Sequence, residues 1–203
     1  MNIKTGSVIL AGILILAGCA TVPPGDSGAV QPEPAANPFG AWAGTWNNFY
    51  SYFENPGLDR AYAALAEKEG KTPAEIKDRY LNGPTYRCEI AAMGIAGDTI
   101  TFYREPQSSA GSASGVLYKA VYEDGGYMNI GGRNWRHFYT TDGIPYKYLI
   151  FLSAEADEPG VTMMHFHFRY GAEPETVRDA EGWYATMTAF DSPLEFIVNH
   201  MTH

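Results

Sequence analysis

Two histidines two residues apart, His165 and His167, have the type and spacing that best suit metal chemistry in this chain. They lie in residues 161–170, a segment that is rich in β-branched and aromatic residues and contains no Gly or Pro. These features predict a strand. Because side chains alternate between the two faces of a strand, both imidazoles should project from one face and Phe166 and Phe168 from the other.

The His-x-His spacing has two interpretations. Two imidazoles on one face of a strand can bind a single Zn²⁺ ion, with each nitrogen about 2.0–2.1 Å from the metal. Paired histidines on a strand are also found as ordinary hydrogen-bonded residues at the surface of a sheet. The spacing alone leaves both interpretations open.

The other three histidines give weaker signals. His137 lies in an aromatic strand segment, where a packed or surface residue is expected. His200 and His203 are one helical turn apart, which permits chelation. The same spacing is common at a solvated helix end, where imidazolium interacts well with the helix dipole.

The first 18 residues have the features of a bacterial secretion signal. Lys4 precedes an apolar run over residues 7–17, which is too short to span a bilayer as a helix. The run ends in Leu-Ala-Gly-Cys19, which resembles the lipobox of bacterial lipoproteins and implies cleavage before Cys19 and lipid attachment to that residue. An ordinary secretion signal with a chance cysteine is the alternative.

Residues 19–40 are rich in proline and are expected to form a disordered tether, which leaves residues 41–203 as the folded domain.

Charge and cysteine content exclude several partners. The chain has 14 basic and 23 acidic side chains and a formal net charge of −9. Such a surface repels nucleic acid and anionic lipid headgroups, so contact with a membrane is expected only through a lipid anchor. With Cys19 lipidated, Cys88 has no partner for an intramolecular disulfide and is expected to be buried and inert.

Hydrophobic patterning predicts a mainly β domain with helical additions. Helices are predicted over residues 58–69 and after Thr72, which forms a capping-box pattern with Glu75. A short helix around residues 175–181 and a last helix after Ser192 follow later in the chain. Seven short strands with Gly-rich turns between them favour an antiparallel meander that closes into a barrel or folds into a sandwich. The predicted strands are residues 86–95, 99–104, 116–123, 127–130, 135–140, 146–152 and 161–170.

Several motifs together resemble the ZinT (YodA) family of bacterial periplasmic zinc-binding proteins. They are Trp42-Ala43-Gly44-Thr45-Trp46, Leu58-Asp59, Glu75-Ile76-Lys77-Asp78-Arg79-Tyr80, Met93-Gly94-Ile95, His165-Phe166-His167 and Trp183. The resemblance covers about residues 42–203. It implies an antiparallel lipocalin-like (calycin) barrel with two N-terminal helices and further C-terminal helices.

The resemblance also implies a ligand set for Zn²⁺. Family members use three histidines, and two of them correspond to His165 and His167. The third should lie just upstream, but residues 153–158 contain no histidine. The resemblance places Glu155 in that position, with the acidic residues at 157 and 158 as alternatives, and a carboxylate is an acceptable zinc ligand. His203 is a candidate additional ligand from the chain terminus.

The expected function is therefore a cell-envelope lipoprotein that binds Zn²⁺, or another divalent metal, for capture and trafficking. A zinc ABC transporter binding protein is an expected partner. The expected location is the periplasmic face, on the outer membrane if the host has one. The alternative is a lipocalin-like lipoprotein that binds a small molecule and has lost the metal site. An enzyme is not expected, because no general base can be named beyond the proposed ligands.

Overall fold

The computed structural model describes residues 37, 39–111, 114–152, 165–180 and 182–202. Its strands are β1 (Gly44–Asn48), β2 (Ala92–Ala96), β3 (Thr99–Tyr103), β4 (Val116–Val121), β5 (Glu123–Ile130), β6 (Arg133–Tyr139), β7 (Tyr148–Leu152), β8 (His165–Gly171) and β9 (Ala185–Ala189). Its α-helices are α1 (Asp59–Glu69), α2 (Pro73–Asn82), α3 (Pro174–Arg178) and α4 (Leu194–Thr202). The strands form one antiparallel sheet in the order β4-β3-β2-β1-β9-β8-β7-β6-β5.

The sheet is strongly curled. β4 and β5 are its two edges, yet Tyr122 alone separates them in the chain. The edges must therefore approach each other at this corner. Tyr122 is 1% exposed, and its hydroxyl donates to the Tyr146 carbonyl oxygen at 2.5 Å. The result is a mainly antiparallel half-barrel with a few helices, consistent with the lipocalin-like fold that the family resemblance implied.

The main core fills the inner face of this curled sheet. Phe102, Phe138, Phe151 and Phe168 are all fully buried there, and aromatic rings from neighbouring strands pack edge to face. The opposite, outer face is covered by helices. A second core joins a 3-10 turn at Phe49–Tyr52 to α1, α2 and α4, and a smaller one packs α3 against the sheet. The outer face is therefore where side chains of strands and helices meet.

Local signals predicted some elements well and others poorly. The capping box at α2 is confirmed: the Glu75 amide donates to Thr72 Oγ1 at 3.3 Å, and the Thr72 amide donates to Glu75 Oε2 at 2.8 Å. β1 and β9 were not predicted, because each is short and contains residues that are uncommon in strands, with two asparagines in β1 and two alanines in β9. The strand predicted over residues 86–95 begins later, at Ala92.

The chain N-terminal to the domain lies almost wholly outside the described residues, including the signal segment, Cys19 and most of the tether. One boundary needs correction. Phe39 was placed in the tether, but it is fully buried and its ring stacks on Phe138 with centroids 4.0 Å apart. The folded part therefore begins before residue 41, because this apolar ring belongs to the main core. No helix in the described part of the chain is long and apolar enough to cross a membrane.

Gly125 in β5 provides a test of the packing on the outer face. A Cβ added there would lie 2.3 Å from Nδ1 of His137, whose ring is stacked on Tyr148 with centroids 5.8 Å apart. We expect Gly125→Ala to lower the free energy of unfolding by about 1–3 kcal/mol, as overpacking does, measured by urea denaturation. Gly143→Ala is the control, because an added Cβ there meets nothing within 4 Å. Equal losses in both variants would contradict this packing.

Candidate metal site

β8 places His165 and His167 on the outer face of the sheet, as the predicted alternation requires. Phe166 and Phe168 point into the main core, where they are 2% and 0% exposed. In the register of the sheet His165 lies opposite Thr188 of β9, and His167 lies opposite Thr186. The two imidazole centroids are 5.5 Å apart. The prediction that both imidazoles share one face is confirmed.

α4 brings a third imidazole, that of His200, to this pair. Its ring centroid lies 4.5 Å from that of His165 and 6.4 Å from that of His167. A zinc-bound imidazole has its ring centre roughly 3.2 Å from the metal, so rings that share a tetrahedral ion have centres roughly 5 Å apart. The three observed separations span this value. His200 therefore lies close enough to the β8 pair to be considered with it.

The cluster does not form a complete metal site as it stands. In residues 37, 39–111, 114–152, 165–180 and 182–202, no three His, Cys, Asp or Glu side chains are arranged to hold a metal ion. The rings have suitable separations, but a shared ion would require them to turn about their side-chain torsions. The other predicted ligands, Glu155 and His203, lie outside the described residues, as does the predicted lipidation site, Cys19.

Thr186 sets the tautomer of His167. The Thr186 hydroxyl donates its single proton to the Tyr184 carbonyl oxygen at 2.9 Å. The same oxygen lies 2.9 Å from His167 Nδ1, so Nδ1 must be the donor in that contact. Nε2 of His167 is then the nitrogen with a free lone pair. Metal-binding histidines are commonly oriented in this way, by a partner on the ring nitrogen that does not bind the metal.

The surroundings keep His167 neutral. Burial, followed by the positive charges that His165, His200 and Arg133 would place nearby, lowers the pKa of His167 to about 3. Aromatic rings close the cluster on the helix side, with Phe49 centred 5.1 Å from His200 and Phe196 centred 5.9 Å from His165. A neutral imidazole is the form that binds a metal.

The sequence analysis considered His200 only as a possible chelating pair with His203 and did not include it in the predicted ligand set, and it did not single out Thr186. The available signal for His200 was its position one turn after Phe196 in the last helix, next to the buried Ile197 and Met201. No sequence spacing links it to β8, because the contact is made only when α4 folds back onto the sheet. Thr186 lies in β9, a strand that was not predicted.

Two other sequence expectations are met, that for His137 fully and that for Cys88 in part. His137 is a packed residue, with its ring centroid 5.8 Å from Tyr148 and 5.9 Å from Tyr139. Cys88 is a free cysteine that is half-buried rather than fully buried, and desolvation still raises the pKa of its thiol to about 12. A thiol with that pKa is protonated and unreactive at neutral pH.

The fold and the histidine cluster together define a lipocalin-like domain that carries side chains of the kind that bind transition metals. A family model described as ZinT (YodA) periplasmic lipocalin-like zinc-recruitment matches residues 33–203. The chain therefore belongs to the ZinT (YodA) family.

Three relatives illustrate the similarity. The chain is 27% identical over 143 residues to the probable metal-binding protein YrpE of Bacillus subtilis (strain 168), covering 68% of this chain and 53% of that protein. It thus spans about half the length of this relative. Its fold is similar to the Zn(II)-bound ZinT-like domain of Streptococcus pneumoniae AdcA, with a TM-score of 0.57 and 23% identity over 80% of this chain and 88% of that one. Zn(II)-bound AdcA itself gives a TM-score of 0.59 and 23% identity, over 80% of this chain and 34% of that one.

The lowered pKa of His167 predicts a loss of stability in acid. Unfolded histidine has a pKa near 6.5, so below that pH the unfolded chain binds a proton at this position. In the folded protein His167 stays unprotonated until about pH 3. The contribution of neutral His167 to the free energy of unfolding is therefore complete above pH 6.5, and it falls by about 1.4 kcal/mol per pH unit below that pH. In chelator-treated protein, urea unfolding between pH 7 and 4.5 should show a shallower decline for His167→Asn than for the wild type.

His137, whose pKa burial also lowers, is present in both proteins, so its contribution cancels in the comparison. Parallel stability curves for the two proteins would show that His167 is not held neutral by its surroundings.

Proposed function

We propose that this chain is a zinc-binding protein of the cell envelope, with His165, His167 and His200 as its imidazole ligands. The observation that carries the proposal is the convergence of three rings from β8 and α4, with centroids 4.5, 5.5 and 6.4 Å apart. Membership of a zinc-recruitment family and the Zn(II)-bound state of the AdcA domain support zinc as the metal. Neutral imidazoles are ligands of choice for this ion.

We infer that Glu155 supplies a further, anionic ligand. β7 ends at Leu152, and the pair Phe151–Phe168 places that end next to the histidine face of β8. Glu155 is three residues further along the chain, in the segment that follows β7. A carboxylate added to the imidazoles gives a donor set found at zinc sites. His203 remains a candidate additional ligand, three residues after His200 in the sequence.

We propose further that the protein captures zinc at the envelope and passes it to the binding protein of a zinc ABC transporter. The lipobox-like segment ending at Cys19 supports a lipid anchor, and the family description supports a periplasmic position. Residues 19–40 would serve as the tether between the anchor and the domain. On this reading the chain binds and transfers metal and is not an enzyme.

The alternative, a small molecule held inside a lipocalin-like barrel, has less support. The inner face is filled by its own side chains: Phe102, Phe138, Phe151 and Phe168 are each 0% exposed. The edge-to-face packing of these rings gives the density of an ordinary core.

Zinc calorimetry on single histidine variants tests the ligand assignment. We expect His165→Ala, His167→Ala and His200→Ala each to weaken binding by at least about 100-fold, because loss of an outer-shell partner alone typically costs about 10–100-fold. His137→Ala is the matched control, since this packed histidine belongs to a different cluster. Undiminished binding after loss of both β8 histidines would rule out the site, and wild-type binding by His200→Ala would remove the third ring from it.

Competition with a zinc-responsive dye tests the carboxylate. Glu155→Gln keeps the size of the side chain and removes its charge, so we expect an affinity about 10-fold or more lower. Asp157→Asn and Glu158→Gln change the same charge in the same segment and should leave the affinity near that of the wild type. A larger effect at either of these two positions would transfer the assignment from Glu155 to that residue.

A further inference from the structure

A cavity of about 350 Å³ opens between the 3-10 turn at Phe49–Tyr52, the end of α2, the segment before β2 and the segment after β3. Its described lining includes one arginine, two carboxylates and several apolar side chains. They are Arg104, Glu54, Glu89, Leu81, Ala91 and Pro106. None of them belongs to the histidine cluster. We call this cavity the Arg104 pocket.

Hydrogen bonds between its four segments hold the walls of the Arg104 pocket in place. The Tyr50 hydroxyl donates to the Leu81 carbonyl oxygen at 3.1 Å, which ties the 3-10 turn to α2. The Ala91 amide donates to the Tyr103 carbonyl oxygen at 2.8 Å, and the Asn48 amide donates to the Ala91 carbonyl oxygen at 2.9 Å. The cavity is therefore preformed, so a ligand would not have to order its walls.

Opposite charges stand at the mouth of this pocket without neutralising each other. Arg104 and Glu54 are both exposed, and neither forms an ion pair with any residue that the structure describes. Glu89 also lines the pocket, but its carboxylate lies near the Tyr146 hydroxyl, because burial and then this carboxylate raise the pKa of Tyr146. Arg104 and Glu54 are therefore the charged groups with which a ligand would pair.

These two charges and the apolar wall define the class of ligand. A guanidinium pairs with a carboxylate through two parallel hydrogen bonds, and a carboxylate accepts hydrogen bonds from an ammonium group. Leu81, Ala91 and Pro106 give an apolar surface for a side chain, and clefts of about 300–1,000 Å³ suit small organic molecules. We propose that the Arg104 pocket binds a free α-amino acid with an apolar side chain, with the ligand carboxylate on Arg104 and its ammonium group on Glu54. This site is separate from the proposed zinc site.

Calorimetry with L-leucine on the full, chelator-treated chain tests the proposal. We expect Arg104→Gln and Glu54→Gln each to weaken leucine binding at least about tenfold, the loss typical of a charge-assisted hydrogen bond. Both side chains are exposed, so the fold should be retained, which far-UV circular dichroism checks. Arg87→Gln and Glu67→Gln are the matched controls, because they remove the same charges from exposed residues outside the described lining.

Two analogues separate direct contact from a structural role, since leucinamide lacks the carboxylate and N-acetylleucine lacks the ammonium group. The wild type should bind each at least about tenfold more weakly than leucine. Arg104→Gln should lose the preference for leucine over leucinamide and keep the preference over N-acetylleucine.

Leucine binding that is absent, or equal in the wild type, the controls and both pocket variants, would overturn the proposal. An analogue that binds the wild type as tightly as leucine would overturn the assignment to an amino acid held at both charged groups. Because zinc is absent from these titrations, a failure here leaves the zinc assignment untouched.

Discussion

Phe166 and Phe168 are packed among the aromatic rings of the inner face, with Phe166 centred 5.0 Å from both Trp46 and Phe151. Burial of each such ring is worth about 1.5–3 kcal/mol. Because side chains alternate along β8, packing of these phenylalanines on the inner face places His165 and His167 on the outer face. A slip of one residue in the register of β8 would put imidazoles into the aromatic core and phenyl rings into the polar layer. The histidines therefore point outward because of hydrophobic packing, before any metal binds.

The outer face contains a buried polar layer that ordinary packing does not require. Thr186 and Thr188 are 0% exposed and Asn47 is 2% exposed, each beneath covering turns or helices. Buried polar groups are costly unless they are hydrogen-bonded, and here many partners are specific. Asn47 accepts from the backbone amide of Gln107 at 2.8 Å and donates to its carbonyl oxygen at 2.9 Å. This layer includes Thr186, whose hydroxyl lies 2.9 Å from His167 Nδ1 and fixes the orientation of that imidazole.

The sequence predicted those features that depend on neighbours in the chain. Alternation along β8 and the capping box at Thr72 were both evident from a few adjacent residues. β1 and β9 were missed, although they join the two halves of the sheet, because each is short and contains residues that are uncommon in strands, asparagine in β1 and alanine in β9. His200 could not be linked to His165 by spacing. Their contact depends on the fold that returns α4 to the sheet.

The proposed site requires one zinc ion to be shared by imidazole rings from a strand and a helix. A crystal of the zinc-loaded domain, with anomalous differences measured across the zinc absorption edge, tests this directly. We predict a single strong peak within about 2.0–2.1 Å of nitrogens from His165, His167 and His200, with His167 binding through Nε2. A peak at another position, or one bound by the β8 histidines with the His200 ring turned away, would contradict the account.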